Sequence, residues 1–330
     1  MLLLNQNENP YGISEAAEQA IVDALGWAHR YPAESYEKLR NAIAERESVT
    51  KEHVILGAGS AEILSLATLS YGSEGKEVVA ADPGYFDFVD FVRSARGKLQ
   101  SVAVDADHRH DLSAMERRCG RGTGLVYVCN PHNPTGTIVP GGRLREFCQE
   151  VARQAVVAVD EAYFELVDDP SHASMIDQVR AGRKVIVTRT FSKVYGLAGL
   201  RIGYGIAPPE VVASLRRIQT NFAPISELSL AAALASYRDT AFVERYKRNN
   251  LEVKARFCGL LDRLHYSWIP SQTNFVLFQV RRPSTAFAQE LRARSILVRP
   301  YEFGGRQWIR ASIGLQEEMD RLGSELQSLA

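Results

Sequence analysis

The chain has 330 residues, 45% hydrophobic and 24% charged, a globular composition that excludes extended disorder and fibrous repeats. Its 39 Lys and Arg balance 39 Asp and Glu, so no net field favours nucleic acid or an anionic membrane, and a small-molecule partner is expected. The length exceeds what one core serves well, which predicts a large domain plus a smaller one.

Met1-Leu2-Leu3-Leu4 turns polar at Asn5, too short an apolar run for a signal peptide, and no later run approaches the ~20 apolar residues of a membrane span. Cys119, Cys129, Cys148 and Cys258 stand apart without metal-ligand spacing, so neither zinc nor a disulfide framework is expected. A reducing, cytoplasmic compartment is the expectation. Along the chain, Ala17, Ala20, Ile21, Ala24 and Leu25 mark one helical face over residues 14–26, with Ser14 as N-cap. Seven short apolar runs then alternate with helical patterns: Val54-Leu56, Val78-Ala80, Val102-Val104, Val126-Val128, Ala155-Val159, Val185-Val187 and Ile202-Ile206. This predicts an α/β domain around a mostly parallel, seven-stranded buried sheet, whose ligands bind beyond the strand carboxyl ends. After about residue 225 come helices over Ser226-Tyr237 and Ala241-Leu264, strands at Phe275-Val280, Ile296-Val298 and Trp308-Ile313, and a helix over Glu317-Leu329. The expected division is a large domain over 32–225 and a small α+β domain made of 1–31 and 226–330.

Chemistry concentrates after the strands. Lys193, in Thr190-Phe191-Ser192-Lys193, ends an apolar strand and precedes a glycine-rich stretch. A solvated surface charge is the ordinary reading of a lysine, but this setting suits one that loses its proton and attacks a carbonyl. Thr190, Ser192 and Arg201 supply two hydroxyls and a guanidinium fork, a set suited to a phosphate. Asp160, in Asp160-Glu161-Ala162-Tyr163, is either a helix N-cap or the partner of a protonated ring nitrogen, with Tyr163 adding a phenol. Asn130-Pro-His-Asn-Pro-Thr-Gly136 would make a turn in any protein, but a turn has no need of Asn133 in particular. Gly57-Ala58-Gly59-Ser60-Ala61 is a strand–turn–helix junction whose amides can cradle an anion; no Walker lysine follows. The glycines of Gly199 to Gly205 enter a strand instead of opening a helix, which argues against a dinucleotide site.

These pieces ask for one ligand with a cationic aromatic ring, a phosphate, an aldehyde and a hydroxyl, and pyridoxal 5'-phosphate has all four. The chain resembles the histidinol-phosphate aminotransferase branch of the fold-type I pyridoxal-phosphate enzymes. The resemblance runs from Asn7-Glu-Asn-Pro-Tyr-Gly12 to Arg310-Ala-Ser-Ile-Gly314, and rests chiefly on the Asn130, Asp160 and Thr190 segments above. It implies that Lys193 is the Schiff-base lysine and proton carrier, that Asp160 pairs with the ring nitrogen, and that Asn133 and Tyr163 hold the ring hydroxyl. Tyr85 would stack on the ring. Ser60, Ala61, Thr190, Ser192 and Arg201 would take the phosphate, and Tyr31 would reach the phosphate of a neighbouring subunit, implying a homodimer with shared sites. Arg310, with Arg299 and Tyr11, would bind substrate, although a surface salt bridge is an alternative for both arginines.

The partners so implied are a small amino donor and a keto acceptor, without nucleic acid, membrane or metal. Departures fall on the substrate side. Little chain precedes Asn7, Ala61 replaces an acidic residue, and Thr220-Asn-Phe-Ala-Pro-Ile-Ser226 differs from the usual pocket segment. A C–S β-lyase or an amino-acid phosphate decarboxylase on the same scaffold is therefore the alternative reaction, and a non-catalytic member of the fold the third reading. His108 and His110 have ligand chemistry but are expected in an exposed charged loop, and the charge run Glu244 to Arg256 is expected on the wet side of a helix.

Overall fold

The computed structural model describes residues 1–220 and 225–329. After β1 (Leu2–Leu3) and α1 (Glu15–Ala24), α2 (Ala33–Arg46) leads into an alternation of strands and helices. It comprises β2 (Val54–Gly57), α3 (Ser60–Tyr71), β3 (Glu77–Asp82), α4 (Phe86–Ser94), β4 (Lys98–Ala103), α5 (Leu112–Arg118), β5 (Thr123–Cys129), α6 (Gly141–Val151), β6 (Val156–Asp160), α7 (Ile176–Arg180), β7 (Val185–Thr190), β8 (Gly203–Ile206) and α8 (Pro209–Arg216). The expected seven apolar runs form one sheet of order β2-β8-β7-β6-β5-β3-β4. Its pairs are parallel except those of β8, which runs antiparallel to β2 and β7. Helices cover both faces, so β5, β6 and β7 bury nearly every side chain, and each fully buried Val, Leu or Ile contributes ~1.5–3 kcal/mol.

The remainder runs α9 (Glu227–Arg238), α10 (Thr240–Arg263), β9 (Trp268–Ile269), β10 (Phe275–Val280), α11 (Ser284–Ala293), β11 (Ile296–Leu297), β12 (Arg299–Phe303), β13 (Arg306–Ser312) and α12 (Gln316–Leu329). A four-stranded antiparallel sheet of order β12-β13-β10-β9 lies under α10, α11 and α12, with Phe257, Phe278, Phe287 and Leu322 in its core. β1 pairs in parallel with β11, fastening the N-terminus to this smaller unit. β1, β9 and β12 were not expected. The first two hold only two residues each, and β12 contains Pro300 and Glu302, which hide an edge strand from apolar patterning.

Ser14 caps its helix as expected, accepting from Ala17 N, and Ser226, expected as the first helical residue, caps the next one by accepting from Ser229 N. Ala17 of α1 and Leu230, Ala232 and Ala233 of α9 join the core of the large sheet, so the expected divisions at 31/32 and 225/226 run through that cluster. One charge on α10 is misread: Lys254 is buried, and its Nζ donates to Ser271 O at 2.7 Å and Thr273 O at 2.9 Å. The carbonyls before β10 supply acceptors that a helical wheel cannot show. Of the altered segment Thr220-Ser226, residues 221–224 lie outside the described residues. Among the described residues no helix is long and apolar enough to cross a membrane.

Candidate active site

The carboxyl ends of β2, β3, β5, β6 and β7 face a cavity of about 540 Å³, closed on its other side by residues Asn5 to Glu8 and by β12 and β13. Twelve predicted residues line it: Ser60, Ala61, Tyr85, Asn133, Asp160, Tyr163, Thr190, Ser192, Lys193, Arg201, Arg299 and Arg310.

Asp160 is the last residue of β6, buried, with register partners Cys129 on β5 and Thr188 on β7. It caps no helix. Its Oδ1 accepts from Thr188 Oγ1 at 2.9 Å and its Oδ2 from the Tyr127 hydroxyl at 3.1 Å. Burial pushes its carboxyl up to about 6, against those bonds and the Ala162 amide, so it is ionised at neutral pH. Among the described residues it has no bonded cation. Three residues past β7, Lys193 sends its Nζ to Gln6 O at 2.8 Å, 6.0 Å from the centre of the Tyr163 ring. Burial first, and then the neighbouring Arg310 charge, bring its amine down to about 8, with Glu8 and Asp160 acting in the opposite direction.

A second group lies around the start of α3. Gly59 takes φ 82° at the N-cap, and a Cβ there would stand 2.7 Å from Arg201 Nη2. Only glycine lets the guanidinium come so close to the first amides of the helix. Arg201 itself is left-handed at φ 50° and donates to Ala198 O at 2.9 Å. The Thr190 hydroxyl donates to Ser192 Oγ at 3.0 Å and accepts from Ser192 N at 3.1 Å. Two hydroxyls, helix-terminal amides and a guanidinium thus converge on one lobe.

The opposite wall is built across long sequence distances. Arg310 on β13 donates from Nη1 to Asn133 Oδ1 at 2.5 Å and Tyr301 Oη at 3.2 Å, and from Nη2 to Asn5 O at 2.8 Å. It is 3% exposed, its Nε has no acceptor, and Arg299 stands directly opposite in the β12–β13 register. The Arg299 guanidinium lies 4.4 Å from the centre of the Phe86 ring. Neither arginine has a carboxylate within 4.0 Å among the described residues, contrary to the surface-bridge alternative. Two opposed guanidiniums without a counter-charge call for an anion.

Tyr163 is buried, and its hydroxyl accepts from Asn7 Nδ2 at 2.9 Å. Tyr85 donates its hydroxyl to Asp87 Oδ2, and burial followed by that carboxylate raises its pKa. Two predicted residues are not brought to the cavity. Tyr11 packs edge-on against Tyr246 of α10, with ring centres 6.1 Å apart. Tyr31, expected to reach the phosphate of a neighbouring subunit and not this chain's own cavity, is 90% exposed. His110 is a correction to the exposed-loop expectation: it is buried against the Cys129 backbone, and burial takes its imidazole down to about 4. Among the described residues no cluster of three or more His, Cys, Asp or Glu could hold a metal. Reading motifs alone missed Tyr127, Thr188, Phe86, Asp87, Tyr301 and the carbonyls of Asn5 and Gln6. Strand alternation carries a signal for Thr188, which shares a face with Thr190 two residues on.

The donor set fits pyridoxal phosphate. A buried ionised carboxylate lacking a bonded cation suits a protonated pyridine, the Gly59 cradle suits its phosphate, and an amine lowered to about 8 suits its aldehyde. Comparison with known proteins agrees. The profile of the aminotransferase class I and II family matches residues 1–326, and the chain belongs to that family. It is 36% identical over 320 residues to a histidinol-phosphate aminotransferase of Moorella thermoacetica, covering 96% of this chain and 82% of the relative. A histidinol-phosphate aminotransferase of Cupriavidus pinatubonensis is 37% identical over 321 residues, covering 96% and 84%. Among solved structures, the histidinol-phosphate aminotransferase of Sinorhizobium meliloti in complex with pyridoxal-5'-phosphate superposes with a TM-score of 0.93 at 28% identity, over 100% of this chain and 92% of that one. A putative histidinol-phosphate aminotransferase of Erwinia carotovora reaches 0.94 at 30% identity, over 99% and 95%.

Proposed function

We propose that this aminotransferase uses pyridoxal phosphate to move an amino group between an amino phosphate of the histidinol-phosphate type and a 2-oxo acid. The observation that carries the reading is the pairing within one cavity of Lys193 and Asp160 with an opposed, uncompensated Arg299–Arg310 pair. When bound, the cofactor supplies an aldehyde that holds the amino group and a ring that takes up the electrons left at the α-carbon. The protein residues then have separate tasks. Lys193 takes the α-proton at Nζ and returns it one carbon away; with its pKa about 8, roughly a tenth of the amine is neutral at pH 7. Asp160 holds the proton on the ring nitrogen. Asn133 and Tyr163 hold the ring hydroxyl, Tyr85 covers the ring, and Ser60, Ala61, Thr190, Ser192 and Arg201 hold the phosphate. Arg310 and Arg299 grip the anion of the substrate, and the segment Asn5 to Glu8 keeps water from it.

A cytoplasmic homodimer with shared sites is part of this reading. Val22, Leu25, Trp27 and Tyr31 expose a run of apolar surface at and beyond the end of α1, the kind of patch a subunit partner covers. Sedimentation should give about twice the chain mass; a monomer refutes the dimer. For the reaction, histidinol phosphate should convert the bound cofactor to its amine form in one turnover. Release of a 2-oxo acid and ammonia from a β-substituted amino acid, with no amine form accumulating, refutes transfer.

A further inference from the structure

With the cofactor residues and the segment Asn5 to Glu8 assigned, Arg299, Arg310, Tyr301, Phe86 and Asp87 stand out on the cavity wall, where Glu8, Asp87 and Asp160 are the carboxylates. The arginines account for an anion and Phe86 offers a flat apolar face. Asp87 is of a different kind. It stands in the first turn of α4, and one carboxylate oxygen accepts the Tyr85 hydroxyl. A carboxylate offers about four acceptor positions, and Asp87 is among the residues that line the cavity. It can only accept, and it sits beside Phe86, whose ring lies under the Arg299 guanidinium. The substrate side thus presents, in one space, an anion clamp, an aromatic surface and an acceptor.

We propose that Asp87 is a specificity-determining residue: it accepts an N–H from a ring or cation that the amino donor carries away from its anionic end. It selects amino phosphates bearing such a group over apolar ones of the same size. This rests on the function proposed above and deepens it. Two other tasks, complementing the dipole of α4 and fixing the Tyr85 hydroxyl, would affect every donor alike.

The test compares histidinol phosphate with phenylalaninol phosphate, which keeps the ring and phosphate but lacks the N–H. Single-turnover kcat/KM is measured on the holoenzyme, wild type and Asp87→Leu. A site built to bind an N–H discriminates strongly against its absence, so the wild-type preference for the imidazole donor should fall at least about tenfold in the variant. The phenyl donor should change only a few-fold. Tyr85→Phe, which removes the hydroxyl but not the carboxylate, should keep the preference. Equilibrium dialysis of an imidazolyl-alkyl phosphate against a phenyl-alkyl phosphate gives the same ratio without turnover, and Asp87→Asn serves if the leucine variant does not fold. An unchanged ratio, or an equal loss for both ligands, overturns the assignment. If wild type does not turn over histidinol phosphate, the proposed function fails, and the dialysis ratio still decides the role of Asp87.

Discussion

The two walls of the cavity are made in different ways. On the cofactor wall, Asp160 and Thr188 come from adjacent parallel strands and share a hydrogen bond, Thr190 at the end of β7 bonds Ser192, and Lys193 follows three residues past that strand. On the substrate wall, Arg310 is fixed by Asn133 and by Asn5 O, 177 and 305 residues away in sequence. The first wall is rigid because the sheet is; the second depends on the smaller sheet and the N-terminal segment holding their places. Chemistry common to all amino donors can be built on the first, and choice between donors is more easily altered on the second.

That difference also explains what could be read in advance. The strands of the large sheet, their helices and the phosphate lobe follow from contiguous runs, since each run carries its own apolar pattern and β6 and β7 end on Asp160 and Thr190; only β4, at the sheet edge, departs from the expected burial, with no buried residue. Lys193, Asp160 and Asn133 stand in segments whose neighbours already suggest their chemistry. Tyr127 was hidden because a tyrosine inside Val126-Val128 reads as core, and it does stack on Phe88, with ring centres 4.0 Å apart. Lys254 and His110 are buried against the expectation because their partners are distant backbone groups that no local pattern contains. Backbone carbonyls such as Asn5 O and Gln6 O carry no sequence signal at all.

The comparison can be broken first at its strongest point. Lys193→Ala should bind cofactor yet lose the absorbance of the lysine-bound form, and single-turnover amino transfer should fall by about 10⁴-fold or more, since it removes both the covalent partner and the proton carrier. A variant that keeps that band and its rate removes Lys193 from the site. Asp160→Asn should follow with a loss of about 10²–10³-fold in the same half-reaction, comparable with removing one preorganised electrostatic contact. The loss should be similar for every donor, because the group serves the cofactor wall; dependence on donor would blur the division between the two walls. Arg310→Gln should raise KM for amino phosphates by about 10–100-fold, the worth of one or two hydrogen bonds to a charge. Its kcat should change less. A fall in kcat alone would move Arg310 to the other wall.

The smallest effect tests whether the walls are independent. Arg310 belongs to the substrate wall, yet its charge is the second cause, after burial, that lowers the Lys193 amine to about 8. Only the neutral amine reacts, so labelling of Lys193 in cofactor-free protein by an amine-directed reagent should rise with pH and level off above about 8. The folded pKa lies below the ordinary lysine value of about 10.4, so the folded chain binds fewer protons than the unfolded one between the two. Lys193 therefore costs stability below pH 8, and that cost is relieved as pH rises from about 8 towards 10. Removing the guanidinium in Arg310→Gln takes away a like charge, so the labelling midpoint should move up, by less than a unit because burial is unchanged. At pH 7.5 this slows labelling a few-fold, readable by mass spectrometry of the Lys193 peptide. A midpoint that stays put would mean that filling the anion clamp leaves the lysine untouched. An upward shift would mean that an anion seated between Arg299 and Arg310 raises the affinity of Lys193 for the proton it must carry.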